Sequence, residues 1–303
     1  NRNELDLSEK EYEEALKIRR TLASSNPQTY LPDVAITLNN LANLHQNKNE
    51  LDLSEKEYEE ALKIRRTLAS SNPETYLPYV ATTLNNLAIL HKNRNEFDIA
   101  EKEYEEALKI QITLASSNLQ TYLPDVAMTL NNLANLHQNR NEFEIAEKEY
   151  EEALNDYRTL ASSNPQMYLP YVATILNNLA TLHSARNEFD LSEKEYKEAL
   201  NDYRTLASSN PQTYLPYEAT ILNNLATLHS DRNELDLSEK EYEEALKIQR
   251  TFAASNPQMY LPDVAITLNN LATLHSDRNE FEIAEKEYEE ALNIRRTLVT
   301  SNH

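Results

Sequence analysis

The sequence predicts an all-α solenoid, thirteen helices paired antiparallel and stacked as one array over residues 1–303. Three observations predict it. Asn-Glu followed by Leu or Phe starts at Asn3, Asn49, Asn95, Asn141, Asn187, Asn233 and Asn279, a constant interval of 46 residues. Such a period marks units that bury their apolar faces only by stacking on their neighbours. Inside each unit, apolar residues fall at helical i, i+3, i+4, i+7 spacing. Finally, Gly, Cys and Trp are absent, so no Gly-rich phosphate loop, disulfide framework or thiolate site can form.

The first full unit shows how each helix is specified. From Pro32, Val34, Ala35, Leu38, Leu41, Ala42 and Leu44 line one face, and Pro32 with Asp33 suits a first helical turn. This A helix is expected to end near Asn47 to Asn49, because Asn is the best substitute for Gly in a left-handed cap. The B helix follows over 50–71. Its inner stripe is Leu51, Leu53, Ser54, Tyr58, Ala61, Leu62, Ile64, Arg65 and Leu68, and Glu55, Lys56, Glu59, Glu60, Lys63 and Arg66 are placed outward. Asn72-Pro73 stops it, since the residue before Pro avoids the helical region. Leu119 stands where the other units have Pro, so a longer or frayed B helix is expected before it. The reading is an orphan B helix over 4–25, then pairs at about 30–72, 76–118, 122–164, 168–210, 214–256 and 260–302. A chain that begins at Asn1 on an orphan B helix, with no polar capping sequence at either end, is expected either to be a segment of a longer array or to have its ends covered by something else.

Leu38, Leu41, Ala42, His45, Asn49, Ser54, Tyr58, Ala61 and Leu62 follow the large, large, small, aromatic, small, aromatic, small order of the tetratricopeptide repeat. The long second helix, the Asn-Pro near its end and the LNNLA core resemble the kinesin-light-chain-like branch. The 46-residue unit exceeds the usual repeat of about 34, and Asn takes the place of the family's turn Gly. The resemblance implies a right-handed superhelix whose concave face, lined by A helices, binds a protein or peptide ligand, and a non-enzymatic scaffold.

On that face the leftover A-helix positions are Ile36, Asn39, Asn40, Asn43, Gln46 and Asn47. Amides carry donors and an acceptor, so they can pair with a peptide main chain, or instead with helix backbones and with each other across repeats. The candidate groove residues are Asn40, Asn43, Asn86, Lys92, Asn132, Asn135, Asn178, Thr181, Asn224, Thr227, Asn270 and Thr273. The position that would carry a carboxylate-clamp Lys in the family reads Ile36, Thr82, Met128, Thr174, Thr220 and Ile266, which argues against such a clamp.

A net charge of −21 argues against nucleic-acid binding, and no apolar run reaches the length of about 20 needed to insert in a membrane. Compartment is not legible. The acids crowd the B helices, as in Glu4, Asp6, Glu9, Glu11, Glu13 and Glu14, and are expected to face outward. His45, His91, His137, His183, His229 and His275 form a ladder of one per repeat. Successive A helices about 10 Å apart cannot share one ion between rungs, so the histidines are read as packed side chains with a satisfied ring nitrogen. The paired Glu of EKEYEEAL are read as solvated, without the apolar pocket that acid catalysis needs. No cofactor, metal or catalytic group is expected. The alternative to a peptide scaffold is an array that self-associates end to end through exposed apolar ends.

Overall fold

The computed structural model describes residues 2–301, with side-chain environments from Leu5 to Thr300; the readings of Glu4 and of residue 302 lie outside those. Among the described residues there are thirteen helices and no strand. B-type helices are α1 (Arg2–Ser25), α3 (Leu51–Ser71), α5 (Phe97–Ala115), α7 (Phe143–Ser163), α9 (Phe189–Ser209), α11 (Leu235–Ser255) and α13 (Phe281–Ser301). A-type helices are α2 (Pro27–Asn47), α4 (Pro73–Asn93), α6 (Leu119–Asn139), α8 (Pro165–Ala185), α10 (Pro211–Asp231) and α12 (Pro257–Asp277). The chain divides into two compact units, residues 1–156 and 157–303. In the first, α1 to α6 pack each on the next, with α4 also touching α6; in the second, α8 to α13 do the same, with α10 touching α8 and α12.

The A helices start five residues earlier than the Pro32 reading placed them. Pro27 takes the first helical position and Pro32 lies inside the helix. The missing Pro32 N–H leaves the Gln28 carbonyl without its i+4 donor, which is tolerated because Gln28 is exposed. The Asn before α4, α6, α8, α10 and α12 does two jobs, whereas Asn26 before α2 makes no side-chain cap bond. The Asn72 N–H closes α3 on the Leu68 carbonyl at 3.0 Å, while its side chain accepts from the Thr75 N–H at 3.3 Å and opens α4. One residue therefore replaces a loop, and the following Pro needs no N–H at that place.

The opposite turn follows the expectation. Asn49, Asn95, Asn141, Asn187, Asn233 and Asn279 all take φ between 60° and 63°. The Glu50 N–H reaches back to the His45 carbonyl at 2.8 Å and the Asn49 N–H to Gln46 at 3.0 Å, the bond pair of a Schellman cap. Helix α5 is not longer but ends early, as the frayed alternative expected: at 19 residues it is shorter than the 21 of α3, and Ser116 and Ser117 form a turn before Asn118. Leu119 takes the first position of α6.

Burial follows the 46-residue period. In the first unit Tyr58, Tyr104 and Tyr150 are wholly buried beside Leu38, Leu84, Leu90 and Leu136. In the second, Ala226, Tyr242, Leu246, Val264, Leu268 and Leu271 form one cluster. Each buried Leu contributes roughly 1.5–3 kcal/mol, and Ala42, Ala88, Ala134, Ala180 and Ala226 leave room for helices to approach closely. Leu53 does not belong to the inner stripe; it is 46% exposed, like Ile99 and Ile145.

Candidate functional site on the A helices

The two amides of each LNNLA motif have different roles. The first is buried or half-buried between neighbouring helices. Asn39 accepts from Arg65 Nη1 at 3.1 Å, and Asn85 Nδ2 donates to Thr129 Oγ1 at 2.8 Å. The second is half-buried and in part spent on the preceding repeat: Asn86 Nδ2 reaches Asn39 Oδ1 at 3.5 Å, and Asn224 Nδ2 reaches Asn177 Oδ1 at 2.9 Å. Asn178 lies 3.5 Å from Asn177 Nδ2, and Asn270 interacts with the Tyr242 hydroxyl. Among the described residues, the Asn40 and Asn132 side chains make no hydrogen bond. Asn86 and Asn224 thus join successive A helices, Asn178 and Asn270 meet other partners, and Asn40 and Asn132 are unspent.

The next candidate row has a structural partner that sequence reasoning missed. Tyr58 donates its hydroxyl to Asn43. The Tyr150 hydroxyl lies 3.0 Å from Asn135 Oδ1, and Asn135 Nδ2 donates to the Asn131 carbonyl. Thr181, Thr227 and Thr273 lie 2.8–3.0 Å from the hydroxyls of Tyr196, Tyr242 and Tyr288. Only Ile89 offers no polar atom at this position, and the buried Tyr104 hydroxyl has no partner. Tyr104→Phe should therefore be neutral or stabilising, whereas Tyr150→Phe should cost about 1 kcal/mol. Equal urea midpoints for the two variants would contradict this. Lys92 is half-buried and desolvation pulls its ammonium down.

Beside these amides the A helices expose apolar groups. Ile36 is 42%, Met128 42% and Ile266 48% exposed. One turn earlier Tyr79, Tyr171 and Tyr217 are about half exposed; Tyr171 stacks on Tyr157 at 4.9 Å and Tyr217 on Tyr203 at 5.3 Å.

The histidine ladder is buried, but its surroundings are ionic rather than apolar. Each Nδ1 meets a carboxylate of the next B helix: His45 with Glu57, His91 with Glu103 and His137 with Glu149 at 2.7 Å, His183 with Glu195 at 2.7 Å, His229 with Glu241 at 2.6 Å and His275 with Glu287 at 2.8 Å. Nε2 faces a second carboxylate, as in His45 with Glu9 and His91 with Glu55 at 3.3 Å. The reading of the EKEY glutamates as solvated is corrected: Glu57 is turned inward, and burial pushes the Glu57, Glu103 and Glu287 carboxyls up. Glu9 likewise does not face outward. A spacing argument between histidines could not see this, because the partners come from other helices. Glu9, His45 and Glu50 bring ligand-type atoms within 4.8 Å of one another. The cation already there is Lys48, which touches Glu9 and lies 3.2 Å from Asp6 and 3.5 Å from Glu50.

The tetratricopeptide repeat family model matches residues 33–113, 79–159, 125–205 and 217–297. No curated protein matches. Among solved structures the chain is similar to BtubC (BKLC) from P. vanneervenii, with 25% identity, a TM-score of 0.67, and coverage of 82% of this chain and 92% of that one. It is also similar to the apo form of RapI (16% identity, TM-score 0.60, 95% and 91% covered). A third neighbour is the Podosopora anserina putative kinesin light chain with nearly identical TPR-like repeats (14%, 0.55, 74% and 98%). The last two likenesses are of fold alone. No described helix is long and apolar enough to cross a membrane.

Proposed function

The chain belongs to the tetratricopeptide repeat family, and from that premise we propose that its A helices receive a peptide segment of another protein. Members of the family typically serve as protein–protein interaction scaffolds and are generally non-enzymatic. The observation that carries the proposal is the grouping of apolar and amide side chains at i, i+4 and i+7 on one helix. Ile36, Asn40 and Asn43 form one such set and Met128, Asn132 and Asn135 another. The apolar member binds side chains, and the amides pair with main-chain groups of an extended peptide. Thr181, Thr227 and Thr273, with Asn178, Asn224 and Asn270, take the same positions in the second unit; in the first, Asn86 takes the Asn40 position and Lys92 stands one turn further on, at the place of Gln46. Asn40 and Asn132 are the strongest contact candidates, because their hydrogen-bonding capacity is unspent among the described residues.

The test is selection of short random peptides on the full chain, followed by affinity measurement with the Asn40→Ala, Asn132→Ala double variant. Two lost hydrogen bonds should weaken binding about tenfold or more with an unchanged thermal melt. Unaltered affinity would refute the assignment.

A further inference from the structure

Besides histidine, the buried set holds two formally charged side chains, Arg65 and Glu218. Glu218 has Arg204 Nε at 2.9 Å. Among the described residues, Arg65 has no carboxylate partner. Its Nη1 donates to three neutral acceptors, Asn39 Oδ1 and the Tyr79 carbonyl at 3.1 Å and the Thr83 hydroxyl, and the Tyr79 ring lies 5.6 Å from its Cζ. Among the described residues, Nε and Nη2 have no hydrogen-bond partner.

The equivalent places in the first unit explain why Arg65 is unusual. Arg19 precedes Asp33, Arg65 precedes Tyr79, and Gln111 precedes Asp125. Arg19 Nη1 likewise donates to the Asp33 main-chain carbonyl and the Thr37 hydroxyl, but Arg65 is the more deeply buried of the two, and Tyr79 offers no carboxylate at the neighbouring position. A buried cation without a counter-ion is costly; burial, partly offset by Tyr79, pulls this one down to about 10, so it remains charged at neutral pH. Arg65 lines a pocket of about 220 Å³ with Pro32, Ile36, Leu68, Tyr76 and Tyr79.

We propose that this pocket binds a carboxylate carried on a short apolar body, with the free Nε–Nη2 edge of Arg65 taking both carboxylate oxygens. The size follows from the volume: a space of about 220 Å³ suits a carboxyl on a short body of a few carbons. The head group follows from the donors. A guanidinium edge matches the two oxygens of a carboxylate, whereas a phosphate would leave further charged oxygens against Ile36 and Leu68. The body follows from the apolar walls. This goes beyond the peptide reading, because a free monocarboxylic acid meets the requirement as well as an acidic side chain does.

The test follows the Arg65 Nε–H signal in NMR spectra of the full chain, assigned by its loss in Arg65→Gln. Gln is the residue the chain itself uses at Gln111, where it accepts from the buried Thr129 hydroxyl at 2.7 Å, so the variant should fold. Titration with 4-methylpentanoate should shift the signal saturably in the low millimolar range and raise the melting temperature. The matching amide, 4-methylpentanamide, should bind about tenfold more weakly or worse. Arg65→Gln should abolish the thermal shift. Ile36→Glu, which places a carboxylate at the exposed lip, should reduce it in a chain that retains Arg65. Acetyl-glutamate amide separates the sources: stronger binding than the free acid assigns the pocket to a side chain, weaker binding to a small metabolite-sized acid, and either supports the carboxylate. No saturable shift, equal binding of the amide or of inorganic phosphate, or an undiminished thermal shift in Arg65→Gln would each overturn it.

Discussion

Raising the pH from about 6 to about 8 should lower the urea midpoint of this chain, because the histidine ladder holds protons more tightly folded than unfolded. The geometry sets the sign. An imidazole that faces a carboxylate at both ring nitrogens can donate to both only as an imidazolium. The pKa values of His45, His91, His137, His229 and His275 are accordingly raised. At His91 and His137 the bond to Glu103 or Glu149 leads. At His45, His229 and His275 burial is the largest single influence and pulls the ring down, but the flanking glutamates outweigh it. A raised folded pKa contributes stability that is complete below the unfolded value, about 6.5, and lost as pH rises through the folded value. Glu57, Glu103 and Glu287, raised by burial, act with the same sign from about 4.3 upward. Glu9, Glu55, Glu193 and Glu239 are lowered, and their contribution disappears only on acidification through their folded values. Above pH 6 the histidines therefore dominate the slope.

One rung releasing one proton changes stability by at most about 1.4 kcal/mol per pH unit. Even partial titration of several rungs in one unit thus exceeds a surface ion pair such as Arg66–Glu106, which at 2.7 Å and half exposure contributes about 0–1 kcal/mol. The measurement is the urea midpoint at several pH values, with His91→Gln plus His137→Gln as the control that flattens the slope. A midpoint that rises with pH in the parent chain would refute the protonated ladder.

What the residues disclosed in advance was whatever depends on a single helix or turn. The 46-residue period, the apolar stripe through Leu38 and Leu41, and the left-handed Asn49 turn all follow from local rules, and all are observed. The start of the A helices was misplaced because two prolines five residues apart both satisfy a first-turn rule. Asn26, which precedes the first of them, was the signal that could have decided it. The candidate site was less legible for a different reason. Whether Asn86 is spent or free depends on a residue 47 positions away, Asn39, and the partner of His45 on a carboxylate 36 positions earlier. Both partners stand on earlier helices outside the residue's own helix pair, so a repeat-to-repeat comparison of polar residues carries information that the periodicity of any one helix does not.

Arg204→Ala should destabilise the second unit by about 2 kcal/mol, whereas Glu218→Val should be neutral or stabilising. Glu218 occupies the place where the other repeats have Val34, Val80, Val126, Val172 and Val264, and it is equally buried. Its carboxylate accepts from Arg204 Nε at 2.9 Å, and Arg204 also reaches Glu244 at 2.7 Å. Removing the arginine leaves a buried carboxylate without its cation, which costs several kcal/mol in a fully desolvated pair; the half-exposed Arg204 reduces that figure here. Removing the carboxylate has the opposite character. Val restores the side chain for which the surrounding Ala and Leu positions are shaped, and Arg204 keeps Glu244 and solvent. The two substitutions are therefore non-additive: Arg204→Ala in a Glu218→Val background should cost only the exchange of one surface pair, about 0–1 kcal/mol. The check is a double-mutant cycle on urea midpoints. Equal costs for Arg204→Ala in both backgrounds would show that Glu218 does not depend on its arginine. The contrast bears on Arg65 as well, since one buried charge in this chain brings its counter-ion from the same fold and the other has none.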